Sequence, residues 1–135
     1  MKILFVCVHN AGRSQMAEAA LNAAAKERGL PIQAASAGTL GGGSINPMAA
    51  AAMEEIGIPL EGHFPKALTQ AMADEADLIV SMGCGADAAA CPAKFLVTDD
   101  WGLDDPAGQP IEVVRDIRDK IIAKVNGLLD QLSSA

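Results

Sequence analysis

The chain contains no tyrosine, and tryptophan and phenylalanine together supply only 3% of its 135 residues. Half of the residues are nevertheless hydrophobic, and alanine is common among them. A core with so few rings must be filled mostly by small and branched side chains. We therefore expect closely packed helices in a single domain over residues 1–135, a length that supports one sizeable core.

Basic residues are also scarce, since 10 Lys and Arg stand against 17 Asp and Glu, for a formal net charge of −7. This balance argues against nucleic acid or an anionic membrane as a partner, because both favour clustered basic side chains. No hydrophobic run approaches the roughly 20 residues of a membrane span, and the N-terminal segment lacks a signal-peptide pattern. The sequence accordingly predicts a cytoplasmic protein with no membrane or nucleic-acid partner.

Only three cysteines occur, Cys7, Cys84 and Cys91. Cytosolic cysteines rarely form structural disulfides. They are more often metal ligands, redox-active or nucleophilic thiols, or inert residues. The surroundings of each cysteine must therefore decide its role.

Strand-like and helix-like patterns alternate along the chain. Short apolar runs predict four strands, at residues 3–6, 31–35, 77–82 and 95–97, with a loop at 36–39. Helices are predicted at 14–28, from Asn46 as N-cap to Gly57, in one turn at 68–72, and at the C-terminus. The last helix carries apolar residues at spacings of three and four (Val114, Ile117, Ile121, Val125, Leu128 and Leu132). This alternation predicts an α/β fold with a four-stranded parallel sheet flanked by helices on both faces.

The chemistry-bearing residues concentrate in the loop after the first strand, where Cys7 is followed by Val8, His9, Asn10, Ala11, Gly12, Arg13 and Ser14. A strand, a tight loop and a helix N-terminus form an anion site, because free N–H groups converge there and the helix dipole adds positive potential. The same features favour a thiolate at Cys7, and the planar guanidinium of Arg13 suits a tetrahedral oxyanion. We expect residues 8–13 to bind the oxyanion and Ser14 to donate to the Cys7 sulfur. The alternative is a buried strand-end cysteine with Arg13 as a surface charge.

The segment CVHNAGRSQMAE at residues 7–18 resembles the signature of the low-molecular-weight protein tyrosine phosphatase family, and within it the arsenate reductase branch most closely. The segments SAGT at 36–39, NP at 46–47, IGI at 56–58 and WGLDDP at 101–106 are similar to further family landmarks, in the family's order. The resemblance implies the α/β fold above, with the oxyanion loop at the carboxyl edge of the sheet.

Two features distinguish the branches. A tyrosine phosphatase of this type usually carries a tyrosine after its Asp-Pro pair, whereas here Asp105 and Pro106 are followed by Ala107 and no tyrosine exists. Cys84 and Cys91, separated by six residues, resemble the redox pair of thioredoxin-coupled arsenate reductases. A phosphatase needs neither of these cysteines.

The resemblance implies a relay of three cysteines. Cys7 attacks arsenate while Asp105 protonates the departing oxygen as general acid. Cys84 then attacks the adduct, so that arsenite leaves and a Cys7–Cys84 disulfide forms, and Cys91 moves this disulfide to Cys84–Cys91. Arsenate is the implied substrate and thioredoxin the implied partner, with no cofactor and no metal. Related enzymes use glutathione with glutaredoxin, or mycothiol, so the reductant stays open.

Other interpretations remain at this stage. The protein is alternatively a phosphatase for tyrosyl or small phosphoesters that uses Cys7, Arg13 and Asp105, or a non-catalytic module that binds an oxyanion or a metal. A zinc site would combine the three cysteines with His9, although a spacing of six is longer than usual. Asp104 is a weaker alternative to Asp105 as the acid.

We assign structural roles to the remaining notable residues. His9 is expected at the rim of the loop, His63 on the ordinary surface, and Trp101 as a packing anchor. Some relatives bind a monovalent cation beside the loop, and Lys66 aligns with one of their acidic ligands. The resemblance therefore suggests that the Lys66 ammonium replaces the cation.

Overall fold

The structure, a computed structural model, describes residues 1–39, 43–82, 99–104 and 106–133, with Asp99 and Asp100 described in their backbone alone. The strands of this part of the chain are β1 (Lys2–Cys7), β2 (Gln33–Gly38), β3 (Leu78–Ser81) and β4 (Asp99–Asp100). The helices are α1 (Arg13–Arg28), α2 (Pro47–Glu55), α3 (Gln70–Glu75) and α4 (Ile111–Ser133). All strand pairs are parallel, in the order β2-β1-β3-β4, which confirms the predicted fold class.

Strand β1 lies in the interior of the sheet, and both of its faces are covered. Ile3 and Phe5 on one face join the core formed with α1, α2 and α4. Leu4 and Val6 on the other face pack with Leu68 and with residues of α3. Each of these side chains is at most 2% exposed. Burying a side chain of this size contributes about 1.5–3 kcal/mol to folding, so the continuous apolar run explains why this segment takes the central place.

The helix termini follow local sequence signals. Asn46 caps α2 as predicted, since its Oδ1 accepts from the main-chain N–H of Met48 at 2.9 Å, and Pro47 is the first helical residue. Helix α1 ends at Gly29 in the left-handed conformation, at φ 68°. No helix in the described ranges is both long and apolar enough to cross a membrane.

Helix α4 buries the stripe that its spacing predicts, with one shift in phase. Val114, Ile117, Ile121 and Val125 are buried, and Leu129 is buried where Leu128 and Leu132 were expected. Leu128 and Leu132 pack on the core at its edge instead. The single tryptophan, Trp101, is 7% exposed and packs on Phe5 with ring centroids 5.2 Å apart, as expected of a packing anchor.

Several element boundaries differ from the sequence predictions. Strand β2 spans Gln33–Gly38 rather than 31–35, because the expected loop residues Ser36 to Gly38 pair in register with Phe5 to Cys7. Helix α3 spans Gln70–Glu75 rather than 68–72, because Thr69 caps it by accepting from Met72 N. Helix α1 begins one residue early, at Arg13. The predicted strand at 95–97 lies outside the described residues, and the described fourth strand is Asp99–Asp100.

Candidate active site

The loop that follows β1 wraps around the sulfur of Cys7, which is buried at the end of the strand. The main-chain N–H of Asn10 donates to Sγ at 3.1 Å, and the Ser14 hydroxyl oxygen lies 2.8 Å from Sγ. Asn10 Nδ2 donates to Ser14 Oγ at 2.7 Å, which leaves the hydroxyl hydrogen to point at the sulfur. Donors aimed at a sulfur are the contacts that a thiolate nucleophile requires. We call residues Cys7 to Ser14 the thiol loop.

The N-terminus of α1 faces the same loop. Gly12 is the N-cap residue, and no side chain caps the first turn. No side chain competes for the N–H groups of that turn, and the helix dipole places positive potential beside Cys7. Such a terminus binds phosphate-like anions.

Arg13 begins α1 and points into the protein, where its exposed fraction is 6%. Its Nη1 donates to the main-chain oxygen of Leu103 at 2.8 Å and to that of Met82 at 3.3 Å. Met82 follows β3 and Leu103 follows β4, so one guanidinium connects the thiol loop with the chain beyond both strands. Arg13 is therefore not a surface charge.

A cavity of about 200 Å³ opens beside Cys7. The thiol loop, the start of α2 and the segment after β4 form its walls, and no Phe, Tyr or Trp belongs to its described lining (Cys7, His9, Ala11, Gly12, Arg13, Ser44, Ile45, Asn46, Pro47, Pro106 and Ala107). The main-chain N–H of Asn46 donates to the oxygen of Ala11 at 2.8 Å and fixes the start of α2 against the loop. His9 is exposed, as expected of a residue at the rim. The size and lining suit a small inorganic oxyanion.

A larger, more open depression of about 760 Å³ lies at the amino edge of the sheet. It is lined by residues of β1, α1 and the segment before β2, together with Glu75 and Asp77, and it contains no cysteine. Ligands of parallel α/β sheets bind at the carboxyl ends of the strands, where Cys7 lies. The smaller cavity is therefore the candidate active site.

Several predicted site residues lie outside the described part of the chain. These are Cys84, Cys91 and Asp105. Asp104, the alternative acid, is exposed. No group of three or more His, Cys, Asp or Glu side chains able to hold a metal ion occurs among the described residues.

His63 does not lie on the ordinary surface, and that prediction was wrong. Its Nδ1 lies 3.0 Å from Glu18 Oε2 and 2.9 Å from Gln15 Oε1, and only 23% of its side chain is exposed. Glu18 is the sixth residue of α1 and is 14% exposed. The imidazole thus joins the loop before α3 to the first turns of α1. Sequence spacing gave no sign of this contact, because His63 and Gln15 are 48 residues apart.

Glu18, Ser36 and Lys66 lie together, and the main-chain N–H of Lys66 donates to Asn10 Oδ1 at 3.1 Å. Glu18 Oε1 accepts from the Ser36 hydroxyl at 3.1 Å and lies 3.9 Å from Lys66 Nζ. Its second oxygen, Oε2, lies 3.0 Å from His63 Nδ1. Both carboxylate oxygens therefore already face donors of this chain, and the Lys66 ammonium supplies positive charge at that place.

Gln15 is a site residue that the sequence analysis missed. Its side chain is completely buried directly after the thiol loop. Its amide contacts Asn10, Phe64 and His63. The signal available in the sequence was a polar residue directly after the Cys7–Ser14 motif, at the start of an alanine-rich helix.

Known proteins resemble this chain in both sequence and fold. The sequence profile of the low molecular weight phosphotyrosine protein phosphatase family matches residues 2–135. A curated relative from Synechocystis sp., named glutaredoxin arsenate reductase, is 35% identical over 136 residues that cover 98% of each chain.

Two solved structures extend the comparison. An arsenate reductase in a phosphate-bound state superposes with a TM-score of 0.81 at 33% identity, covering 96% of this chain and 97% of its own. A YwlE arginine phosphatase mutant with a phosphorylated active-site serine superposes with a TM-score of 0.84 at 28% identity, covering 98% and 96%. The same backbone therefore supports proteins named for two different reactions.

Proposed function

The chain belongs to the low molecular weight phosphotyrosine protein phosphatase family, and from this premise we propose that it reduces arsenate to arsenite with electrons from thioredoxin. The observation that carries the proposal is the placement of the buried Cys7 sulfur between the N–H of Asn10 and the α1 N-terminus. The cavity of about 200 Å³ beside it is large enough for a small oxyanion. The curated relatives named arsenate reductase support the choice of substrate.

The proposed reaction starts with attack of the Cys7 thiolate on arsenic. A sulfur–arsenic bond forms, and the departing oxygen leaves as water after protonation by Asp105 as general acid. Arg13 and the α1 N-terminus balance the charge of the bound oxyanion. Cys84 then attacks the Cys7 sulfur, and the electron pair of the sulfur–arsenic bond stays with arsenic, which leaves as arsenite.

The remaining steps regenerate the enzyme. Attack of Cys91 on the Cys84 sulfur releases Cys7 as a thiolate and leaves a Cys84–Cys91 disulfide. Thioredoxin reduces this disulfide with two electrons. The two electrons that arsenic gains thus come from thioredoxin, and all three cysteines take part in the cycle.

The second candidate is a phosphatase that uses Cys7, Arg13 and Asp105. It is favoured by the likeness to the arginine phosphatase, since the same cradle accepts any tetrahedral oxyanion. Against an aryl substrate stands the described lining, which offers Ile45, Pro47 and the exposed His9 imidazole but no Phe, Tyr or Trp ring to pack on a phenyl group.

One pair of assays separates these functions. Thioredoxin-coupled NADPH oxidation with arsenate reports reduction, and hydrolysis of an aryl phosphate reports the phosphatase. We expect Cys84→Ser to lose arsenate turnover while any phosphate hydrolysis persists, because only reduction uses the second thiol. Equal arsenate turnover in Cys84→Ser and wild type contradicts the proposal, and activity in neither assay favours an oxyanion-binding module.

The reductant and the relay are tested separately. Replacing thioredoxin with glutathione and glutaredoxin distinguishes the proposed partner from the one in the name of the Synechocystis relative. Disulfide mapping by mass spectrometry after one arsenate turnover without reductant should give a Cys84–Cys91 product. In a parallel turnover with glutathione present, a mixed disulfide of Cys84 with glutathione would contradict thioredoxin coupling.

A further inference from the structure

The buried amide of Gln15 forms hydrogen bonds through both of its polar atoms. Nε2 donates to Asn10 Oδ1 at 2.8 Å, to the Phe64 oxygen at 2.9 Å and to the Asn10 oxygen at 3.2 Å. Oε1 accepts from His63 at 2.9 Å. An amide is costly to bury unless it is bonded in this way, and the proposed reaction assigns Gln15 no chemical role.

Two of the Gln15 contacts hold a residue in an unusual conformation. Asn10 is the one residue other than glycine with a positive φ, 56°, in the described part of the chain. In this left-handed conformation its main-chain N–H meets the Cys7 sulfur, and its Nδ2 meets the Ser14 hydroxyl. Such a conformation is disfavoured in isolation and persists only where the surroundings hold it. Gln15 Nε2 binds both Asn10 oxygens and is therefore part of that support.

His63 determines which way the Gln15 amide faces. Its Nδ1 meets two oxygens, Gln15 Oε1 and Glu18 Oε2, so Nδ1 carries a hydrogen and acts as a donor. A reversed amide would set its NH₂ group against this N–H and its oxygen against the two oxygens of Asn10. Both contacts would be repulsive, so the imidazole fixes the orientation that Asn10 requires.

We propose that Gln15 is a positioning residue for the Cys7 thiolate and that His63 positions it in turn. The proposal rests on the role of Cys7 as the nucleophile in the proposed function. A continuous series of contacts runs from Glu18 and His63 through Gln15 to Asn10, and from Asn10 to the sulfur. The loop before α3 thereby acts on a sulfur that it does not touch.

Gln15→Met and Gln15→Glu test the first step of this series. Both side chains are close to glutamine in size, but methionine has no donor, and glutamate places oxygens against those of Asn10. We expect each variant to lower the rate of Cys7 alkylation by iodoacetamide at pH 6.5 about tenfold. The alkylation is measured by mass spectrometry of the Cys7 peptide. In arsenate turnover, kcat should fall more than KM rises, because Arg13 and the α1 N-terminus still bind the oxyanion.

Asn22→Leu is the matched control. Asn22 lies on the same helix, and its amide exchanges two hydrogen bonds with Ala34 in β2, far from the sulfur. Asn22→Leu removes two side-chain hydrogen bonds of α1, against four at Gln15, and should leave the alkylation rate of Cys7 unchanged. Equal slowing in Asn22→Leu and Gln15→Met would overturn the proposal, as would wild-type alkylation in Gln15→Met.

His63 offers a second test that does not depend on a buried substitution. The Nδ2 of asparagine follows Cγ as Nδ1 of histidine does, so His63→Asn keeps a donor beside Gln15 Oε1, whereas His63→Leu removes it. We expect His63→Leu to slow alkylation and His63→Asn to restore most of the rate. Equal rates in the two variants would contradict the role of His63. Alkylation needs no arsenate, so failure of arsenate turnover in the wild type would refute the proposed function alone.

Discussion

Pro106 Cγ lies 2.9 Å from the position that a Cβ atom on Gly12 would occupy. The segment after β4 thus rests directly on the N-cap of α1, with only a glycine at the contact. Pro106 immediately follows Asp105, the proposed general acid. The distance between Pro106 and the thiol loop therefore depends on the absence of a side chain at residue 12.

Gly12→Ala tests this dependence. The added methyl group must displace the proline ring, and a shift of about 1 Å in a catalytic group costs up to about 100-fold in rate. We expect kcat/KM for arsenate to fall 10- to 100-fold while circular dichroism and alkylation of Cys7 change little. Wild-type kcat/KM in Gly12→Ala would show that the close contact of Gly12 with Pro106 does not affect catalysis.

Gly127→Ala is the matched glycine substitution, and it carries its own prediction. Gly127 lies within α4, and a Cβ there meets no heavy atom within 4 Å. Alanine in a helix interior is more stable than glycine by about 0.5–1 kcal/mol. The free energy of unfolding in urea should rise by that amount with arsenate turnover unchanged, and a decrease would show that the position is not open.

Central elements of this fold were predictable because their signals are local. Each signal depends only on residues that are close together in the sequence. The examples are the apolar run of β1, the Asn46 cap of α2 and the stripe of α4. The carboxyl half of β2 was not predictable in this way. Ser36, Ala37 and Gly38 have weak strand propensity and pair only because β1 lies beside them.

The candidate active site likewise combines residues that a local motif predicts with contacts that it does not. Cys7, Arg13 and Ser14 follow from one short motif between a strand and a helix. Gly38 shows what a motif leaves out, because a Cβ there would lie 2.5 Å from the Val8 oxygen and 2.9 Å from Asn10 N. The thiol loop therefore packs on the backbone of β2. That approach, like the contact of His63 with Gln15, joins residues far apart in sequence.

Lys66 carries a prediction about salts. Its ammonium lies 3.9 Å from Glu18 Oε1, in a region where some relatives bind a monovalent cation. We expect the melting temperature and arsenate turnover to be equal in sodium and potassium chloride at the same ionic strength. Lys66→Asp should acquire a response to potassium, because it exchanges the fixed charge for an oxygen ligand. A clear rise in wild-type activity on changing sodium to potassium would refute the assignment.

The contact between α2 and α4 should make stability depend on acid pH. A hydrogen bond from Arg115 lowers the pKa of Glu55 below its ordinary value, and Arg118 lowers it further. A carboxylate with a lowered pKa stabilises the fold above its unfolded value of about 4.5, and this contribution is lost as the pH falls through the folded value. Because the group is exposed, the effect is small and screened by salt.

Glu55→Gln measures that contribution. We expect a melting temperature about 1–3 °C below wild type at pH 7, with the gap narrowing as the pH falls below 4.5 and in 1 M sodium chloride. Glu54→Gln, at an exposed neighbouring position of α2, should show no such pattern. A gap that persists unchanged at pH 3.5 would mean that Glu55 acts through packing and not through its charge.

The sheet order has a consequence for the biosynthesis of the enzyme. Strand β1 is made before both of its neighbours, and Arg13 bonds to Leu103, which ribosomes add about 5–20 s after Cys7 at roughly 5–20 residues per second. Until then the carbonyl of Leu103, one acceptor of the guanidinium, does not exist, although β2 and β3 have already been made. The contact that joins the thiol loop to the chain after β4 therefore forms only once synthesis has passed β4, later than the contact of Arg13 with Met82.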